Sequence, residues 1–372
     1  MRALILVLLL VVAHASFAEA IVGKTRILVV DDECHSPYWV PLTGGSIEPI
    51  FNLPSRGSRG TGCNAYSAAY DGERFLINVG GGNAAFIEEG AFEPSQIVPL
   101  DDEAGGTSAV RWDGTRYIAV WRRSAERGGR LAGAAITREG AIIDDFRLAS
   151  SHRAAGLTVN NGQVLVLDAP GAQYASEFPD PARLEVLATI LDAKLTPRKL
   201  FVVGNSYETL RIGAAYMRSV EVLDAHAFGD GFYVAWMDTQ YGWGGVFDEA
   251  EPVRGTRITA DGTMLDVTPA MNGRTLTLAK TFDVDLMPIG EYLLAVVKRE
   301  HGGAVTGTFI DKNGLAIGTR ELLAKSDDDR IVETVRLPDG KLALLTRPRF
   351  GATATITPVN EALPLPRRRA VR

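Results

Sequence analysis

Apolar and polar residues alternate along short stretches of this chain, and turn residues separate the stretches. In the clearest example, residues 108–121, two apolar runs flank the pair Asp113 and Gly114. Asp-Gly between alternating apolar residues is a strong β-hairpin signal, because glycine accepts the positive φ that a tight turn requires. Residues 131–143 continue the pattern with a second turn at Glu139 and Gly140. The whole stretch therefore predicts four short antiparallel strands.

The same unit recurs along almost the whole chain. Its first half, a strand, a turn and a strand, returns around the turn glycines Gly72, Gly114, Gly162, Gly231, Gly290 and Gly340. Its second half reads Gly-x-x-Ile-Thr-x-Glu/Asp-Gly at residues 133–140 and 255–262, and Gly-x-x-Ile-Asp-x-Asn-Gly at residues 307–314. Four strands in roughly 40 to 50 residues are typical of a β-propeller blade. A β-sandwich with accidental similarity between its strands is the alternative fold.

The number of blades is open between six and seven. Residues 25–53 hold three more apolar stretches, which resemble a blade without its innermost strand. Propellers leave only short protected edges, so the two ends of the chain are expected to complete one blade together. We predict an all-β propeller of seven four-stranded blades, with the C-terminal segment adding a strand to the N-terminal blade. In the six-blade alternative, the N-terminal strands complete the last blade.

The repeat resembles a known group of proteins. Asp-Gly-x-x-Tyr-x-x-x-Trp at residues 113–121, followed by Gly-x-x-Ile-Thr-x-Glu-Gly at residues 133–140, is similar to the repeats of exported bacterial β-propeller proteins. The resemblance covers residues from about 64 to 363 and implies the fold, but it carries no catalytic residues. The third repeat departs most from the pattern, because its second turn, at Asp192, lacks the glycine.

The N-terminus has the pattern of a secretory signal peptide. Arg2 precedes an apolar run over residues 3–12, and small-x-small sites end at Ala15 and Ala20. We predict a leader over residues 1–20, cleaved after Ala15 or Ala20, a single propeller domain over residues 21–366 and a basic tail over residues 367–372. The protein is then expected to be secreted or periplasmic. No other run reaches the roughly 18 apolar residues of a membrane-spanning helix.

Composition and motifs narrow the chemistry. The net charge of −6 argues against a nucleic acid partner, because binding to phosphates would need a basic stripe. Phosphate-binding glycine loops, dinucleotide fingerprints, Gly-x-Ser-x-Gly, His-Glu-x-x-His and paired Cys-x-x-Cys motifs are all missing, so we expect no cofactor and no metal. The two cysteines, Cys34 and Cys63, form a disulfide in an oxidising compartment or remain two separate buried thiols.

Comparison of the repeats gives one candidate set of carboxylates. Seven residues before the turn glycine, the last three repeats carry Asp224, Asp283 and Glu333. If the first strand of each repeat is innermost, these side chains meet near one mouth of the central channel. Neighbouring carboxylates raise one another's pKa, which suits acid–base catalysis. The alternative is a set of solvated residues at the starts of strands.

The loops after the second strands give a second candidate site, because exposed aromatic and arginine side chains are typical of recognition surfaces. The candidate ligand-binding residues are Tyr174, Tyr241, Trp243, Arg122, Arg299 and Arg347. Trp243 has an alternative role, in which it folds inward and fills the blade. We interpret Trp121 and Trp236 as packing between blades, and His226 as a hydrogen-bonded residue of the core.

These observations predict an exported, soluble propeller that acts as a binding or scaffold module, with its ligand on the loop-bearing face around the channel. The expected ligand is a carbohydrate or a protein. The first alternative is an extracellular hydrolase or lyase that uses the channel carboxylates on carbohydrate-like substrates. The second alternative is a structural repeat protein of a secreted assembly. The sequence favours a protein that is not an enzyme.

Overall fold

A computed structural model describes most of the chain. It describes residues 19–30, 37–50, 53, 67–80, 82–101, 104–123, 130–148, 153–169, 173–174, 184–206, 217–241, 253–265, 283–298, 304–323, 330–348 and 352–361. All regular elements in these ranges are β-strands, which form seven antiparallel sheets. No helix in the described ranges is long and apolar enough to cross a membrane.

Each sheet forms one blade, in which the first strand named is the innermost and the last is the outermost. Blade 1 comprises β1 (Glu19–Val22), β2 (Arg26–Val30), β3 (Tyr38–Pro41) and β5 (Glu48–Pro49). Blade 2 comprises β6 (Ser67–Tyr70), β7 (Arg74–Gly80), β8 (Asn83–Glu88) and β9 (Gln96–Pro99). Blade 3 comprises β10 (Ala104–Trp112), β11 (Tyr117–Arg123), β12 (Leu131–Ile136) and β13 (Ile142–Leu148).

The remaining blades follow the same order. Blade 4 comprises β14 (Arg153–Asn160), β15 (Gln163–Ala169), β17 (Leu184–Leu191) and β18 (Pro197–Ser206). Blade 5 comprises β19 (Met217–Phe228), β20 (Gly231–Tyr241), β21 (Arg254–Ile258) and β22 (Met264–Leu265), and a short fifth strand, β16 (Gln173–Tyr174), pairs with the channel edge of β19. Blade 6 comprises β23 (Asp283–Ile289), β24 (Tyr292–Lys298), β25 (Val305–Ile310) and β26 (Ala316–Leu323). Blade 7 comprises β27 (Arg330–Arg336), β28 (Leu342–Pro348), β29 (Thr353–Pro358) and β4 (Gly45–Ser46).

The prediction of seven blades, one of them shared by the two ends of the chain, is confirmed. The shared blade is blade 7, however, and not blade 1. Blade 1 has its own inner strand, β1, and the N-terminal segment supplies β4 to blade 7. The C-terminal segment therefore adds no strand to blade 1. Because β1 begins at Glu19, it overlaps the predicted leader, which is why the sequence pattern suggested that blade 1 lacked this strand.

The hydrophobic core lies between the blades. Seven clusters of buried apolar side chains fill the seven junctions between neighbouring blades, including the junction of blade 7 with blade 1. Trp121 packs between blades 2 and 3 and Trp236 between blades 4 and 5, as the repeat pattern predicted. A stretch of strand buried on both of its faces has to be apolar, which explains residues 27–30 of β2, all of β12 and residues 293–297 of β24.

The two faces of the ring differ in their connections. Because neighbouring strands are antiparallel, the hairpins that join strands one and two, or three and four, lie on one face, which we call the hairpin face. The second strands end on the opposite face, the loop face. On the loop face β20 ends at Tyr241 and β21 begins only at Arg254, whereas on the hairpin face β19 ends at Phe228 and β20 begins at Gly231.

Candidate functional site

The inner strands carry one equivalent position around the central channel, which we call the ring position. It is the fourth residue before the residue that closes the inner hairpin of each blade. From blade 1 to blade 7 the ring position holds Glu19, Ser67, Ala109, Gly156, Asp224, Asp285 and Glu333. Five of these seven residues have an oxygen acceptor in the side chain.

The ring acceptors bind the backbone of the next blade. The Glu19 carboxylate accepts the Ala68 N–H at 3.4 Å and the Ser67 hydroxyl at 2.9 Å. Ser67 Oγ in turn accepts the Val110 N–H at 3.1 Å. An inner strand has an unpaired edge toward the channel, and its N–H groups need acceptors there. The ring position supplies these acceptors from one blade to the next.

The same bond recurs on the other side of the ring. Asp224 accepts the Leu286 N–H at 2.6 Å, and Asp285 accepts the Thr334 N–H at 2.9 Å. Each donor is the residue that follows the ring position of the next blade. Glu333, in blade 7, is buried and also interacts with another residue. Structural bonds therefore occupy the channel carboxylates of blades 5 and 6.

Asp224 is the carboxyl group whose protonation the fold changes most clearly. Burial raises its pKa from 3.8 to about 7, and the negative charge of Asp285 acts in the same direction. The Leu286 N–H, the charge of Arg111 and the Ala225 N–H act in the opposite direction and do not outweigh burial. A carboxyl group that titrates near neutral pH is suited to transfer protons.

Arg111 is a positive charge close to the ring position. It stands two residues after the ring position of blade 3 and forms an ion pair with Glu19 of blade 1. Its Nη1 also donates to the Val110 carbonyl at 2.9 Å. The charge of Arg111 acts on Asp224 and His226 of blade 5 as well. Arg111 therefore couples three blades electrostatically, and the repeat comparison did not single it out.

The structure corrects one member of the predicted carboxylate set. Asp224 and Glu333 hold the ring position, but Asp283 lies two residues before it, and Asp285 takes its place. A count of seven residues back from each turn glycine misses Asp285, because the turn glycines do not stand at equivalent places in their hairpins. Gly290 lies inside its turn with a positive φ of 56°, whereas Gly231 is the first residue of β20 and Gly229 has the positive φ.

His226 is a partly buried residue with a structural role. Its Nδ1 lies 3.1 Å from the carbonyl oxygen of Ala227, and burial lowers the pKa of the imidazole. Within the described part of the chain, no three His, Cys, Asp or Glu side chains come together as a metal site. Cys34 and Cys63 lie outside the described residues, so their pairing stays a prediction.

The loop-face candidates are brought together in part. The short strand β16, which belongs to the connection between β15 and β17 of blade 4, pairs with the channel edge of β19 in blade 5. In this pairing Tyr174 is opposite Met217, and Met217 is opposite Tyr241 on β20. Two of the predicted aromatic residues thus stand in one row of paired backbone positions at the loop-face end of blade 5.

The two described arginines of the predicted set, Arg122 and Arg347, belong to blades 3 and 7 and not to blade 5. Arg347 is buried at the junction of blades 7 and 1, where its guanidinium lies 5.0 Å from the centre of the Tyr38 ring. Arg122 is partly buried at the end of β11, and its Nε has no hydrogen-bond partner among the described residues. Trp243 and Arg299 lie outside the described residues.

On the hairpin face, many polar side chains bind the neighbouring blade. Arg138 of blade 3 donates to the Asp71 carbonyl of blade 2 at 2.8 Å, and Lys199 of blade 4 donates to the Gly262 carbonyl of blade 5 at 2.8 Å. The Glu89 carboxylate of blade 2 accepts backbone N–H groups of blade 1 from Lys24 and Arg26. These groups are engaged in holding the ring together.

No protein-family model and no curated protein matches the sequence. Among solved structures, the WD40 beta propeller domain of Doa1 aligns with a TM-score of 0.47 and 11% sequence identity, over 92% of this chain and 93% of that chain. The assignment as a seven-bladed β-propeller rests on the sheet topology and the seven junction clusters.

Proposed function

We propose that this protein is an exported binding module that engages its ligand on the loop face at blade 5. The observation that carries the proposal is the row formed by Tyr174, Met217 and Tyr241. Tyrosine is enriched where proteins bind partners, because a large rigid ring contacts the ligand at a small cost in conformational entropy. The two tyrosines of this row come from the connection between β15 and β17 and from the end of β20.

Blade 5 also differs from the other blades in its dimensions. Its two inner strands, β19 and β20, have 12 and 11 residues, whereas β23 and β24 of blade 6 have 7 residues each. The extra length lies at the loop-face end, because the hairpin at Phe228 and Gly231 is tight. β16 then adds a fifth strand on the channel side. The longest sheet of the ring therefore carries the tyrosine row.

A carbohydrate is the ligand class that we propose for this row. The face of a tyrosine ring is apolar and its edge carries a hydroxyl group, which matches the C–H face and the hydroxyl rim of a sugar ring. The polar groups of the hairpin face already bind neighbouring blades, as Arg138 and Lys199 do. The ligand is therefore proposed to bind on the loop face, where connections are long.

Binding of the purified protein to an array of immobilised glycans tests this function. We expect affinity for at least one class of glycan, and a loss of tenfold or more in the double variant Tyr174→Ala with Tyr241→Ala. Phe92→Ala is the matched control, because Phe92 is an exposed aromatic residue between β8 and β9 on the hairpin face. Glycan binding that survives the double variant, or no glycan binding at all, rejects the carbohydrate site.

Export is tested separately. The full-length chain, produced in a bacterial host with its own N-terminus, is expected in the periplasm or the medium with its leader removed. The apolar run over residues 3–12 and the small residues after it support this expectation. A chain that stays in the cytoplasm at full length contradicts the proposed export without bearing on the tyrosine row.

One observation favours the alternative of a hydrolase or lyase. The charge of Asp285 acts on Asp224, and the pKa of Asp224 is about 7, as a general acid requires. Both carboxylates, however, accept backbone N–H groups of the next blade. Activity on a panel of polysaccharides that disappears in Asp224→Asn, while the variant stays folded, would establish the alternative.

A further inference from the structure

We propose that the leader is removed after Ala15, so that Glu19 remains in the mature chain as the first-blade member of the channel ring. This inference rests on the export proposed above, and it chooses between the two sites that the sequence pattern leaves open. Cleavage after Ala20 removes Glu19 and half of β1 (Glu19–Val22), whereas cleavage after Ala15 leaves the whole strand in place.

The contacts of Glu19 are the first argument. Its carboxylate accepts the Ser67 hydroxyl at 2.9 Å and the Ala68 N–H at 3.4 Å, and it forms an ion pair with Arg111. These three residues belong to blades 2 and 3, so Glu19 joins blade 1 to both of them. A side chain with partners on two other blades belongs to the folded ring and is unusual for a discarded leader.

The charge balance is the second argument. Cleavage after Ala20 leaves Arg111 without the carboxylate of Glu19. It also creates a new positive α-amino group on Ile21, within the inner strand β1 of blade 1. A partly buried arginine that loses its counter-charge is destabilised. Cleavage after Ala15 keeps the ion pair, and the new amino group is then on Ser16, three residues before Glu19 in the sequence.

The strand itself is the third argument. β1 pairs with β2 over four residue pairs, from Glu19 with Val30 to Val22 with Ile27. Cleavage after Ala20 leaves Ile21 and Val22 as the only remnant of the innermost strand of blade 1. The site that ends at Ala15 also has the small-x-small pattern of a signal peptidase site, directly after the apolar run of residues 3–12.

The mature N-terminus gives the direct test. The full-length chain with a C-terminal affinity tag is purified from the periplasm, and its intact mass and N-terminal peptide are measured. We expect a chain that begins with Ser16. A chain that begins with Ile21, or at any other residue, overturns the proposed site while export itself stands. An unprocessed cytoplasmic chain overturns both proposals.

Two variants separate the sites. Signal peptidases require a small residue directly before the cut, so Ala15→Gln is expected to abolish the mature chain that begins with Ser16. Ala20→Gln is expected to be cleaved as before, giving a mature chain that differs only by the mass of the substitution. Cleavage that is blocked by Ala20→Gln and unaffected by Ala15→Gln contradicts the inference.

A stability measurement tests the structural premise without the peptidase. Chains that begin at residue 16 and at residue 21 are produced without a leader and are compared by thermal unfolding. We expect the chain that begins at residue 21 to unfold at a temperature lower by at least about 3 °C, since it lacks Glu19 and half of β1. Equal unfolding temperatures would show that the ring does not need Glu19.

Discussion

Asp224 accepts the backbone N–H of Leu286 at 2.6 Å across the junction of blades 5 and 6. The other oxygen of the same carboxylate accepts the N–H of Ala225 at 2.7 Å. These two bonds favour the ionised carboxylate, whereas burial and the charge of Asp285 disfavour it. Burial is the larger effect, and the pKa of Asp224 rises to about 7. One residue therefore holds two blades together and links their stability to pH.

The first prediction concerns this pH dependence. Between pH 4 and pH 7 the folded protein keeps a proton on Asp224 that the unfolded chain, with a pKa of 3.8, has lost. The contribution of Asp224 to stability is thus complete below pH 4 and is lost as the pH rises through 7. Asp224→Asn keeps an oxygen acceptor for Leu286 and does not ionise. We expect wild type and variant to unfold at similar temperatures at pH 4, and the variant to be more stable at pH 8 by at most about 4 kcal/mol.

Asp261 is the matched control, because its pKa shift has the opposite direction. Hydrogen bonds from the Thr259 hydroxyl, the Thr263 N–H and the Thr263 hydroxyl lower its pKa to about 2. The contribution of Asp261 is therefore present above pH 4 and lost as the pH falls through 2. Asp261→Asn is expected to lower the unfolding temperature at pH 8. If Asp224→Asn also lowers it at pH 8, burial does not control Asp224 as described.

The second prediction separates Asp285 from Asp283. Asp285→Ala leaves the N–H of Thr334 without its acceptor, and an unsatisfied buried group costs about 1–3 kcal/mol. Asp285→Asn retains an acceptor and is expected to cost less. Asp283→Ala is expected to be the mildest of the three, because Asp283 does not hold the ring position. Urea unfolding at pH 7 measures all three variants.

A second measurement tests the link between Asp285 and Asp224. The charge of Asp285 contributes to the raised pKa of Asp224. In Asp285→Asn, the pH above which stability stops falling is therefore expected to move below 7. A larger loss of stability in Asp283→Ala than in Asp285→Ala would show that the register of β23 (Asp283–Ile289) is not the one described.

The repeats made the seven blades predictable, because each blade depends on local signals. Alternating apolar residues specify a strand, and glycine in a turn specifies the hairpin that follows. One departure from the pattern is resolved by the structure. The second turn of blade 4 lacks glycine, and there Leu195 itself adopts a positive φ of 58° while its buried side chain packs between blades 3 and 4. The packing stabilises a backbone conformation that is unfavourable for leucine.

The residues at the ring position were only partly predictable from the sequence, because their roles depend on contacts between distant parts of the chain. Asp224 and Glu333 follow from counting along the repeats. To identify Asp285 by counting, one has to know that Ile289 closes the inner hairpin of blade 6. A polar residue inside the apolar run of β23 was the available signal. Glu19 lies where the sequence indicates a leader, so its role could not be read from a local pattern. Arg111 acts on blades 1 and 5, and no spacing in the sequence expresses that.

The third prediction explains the first glycine of the Gly-x-x-Ile motif. A Cβ atom on Gly133 would overlap the ring of Phe146 and lie 2.7 Å from the carbonyl oxygen of Ala119. At the equivalent place in blade 5, a Cβ atom on Gly255 would overlap the Tyr233 ring. Gly133→Ala is therefore expected to destabilise the protein by about 1–3 kcal/mol, because the buried Phe146 ring has to move.

Ala84 is the corresponding residue in blade 2, and Ala84→Gly serves as the comparison. That change removes a buried methyl group and is expected to cost about 1 kcal/mol, without displacing an aromatic ring. Thermal unfolding of both variants, with near-ultraviolet circular dichroism to follow the aromatic side chains, measures the difference. An unchanged aromatic spectrum in Gly133→Ala would argue against the overlap with Phe146.

The fourth prediction concerns blades 3 and 4, whose ring positions lack a side-chain acceptor. Ala109 and Gly156 hold the ring position in blades 3 and 4, and neither has an acceptor in its side chain. By the register of the other blades, the N–H of Leu157 faces Ala109 as the N–H of Val110 faces Ser67. Ala109→Ser therefore supplies the missing acceptor and is expected to stabilise the protein by about 0.5–1.5 kcal/mol.

Ala134→Ser is the control for this gain. Ala134 is buried in the core between blades 2 and 3, where an added hydroxyl is expected to cost about 1–3 kcal/mol. Urea unfolding of both variants at pH 5 keeps Asp224 largely protonated and so isolates the new bond. A gain in Ala109→Ser together with a loss in Ala134→Ser supports a ring position whose acceptors hold neighbouring blades together. A loss in Ala109→Ser as large as that in Ala134→Ser contradicts it, because the new hydroxyl would then have found no partner.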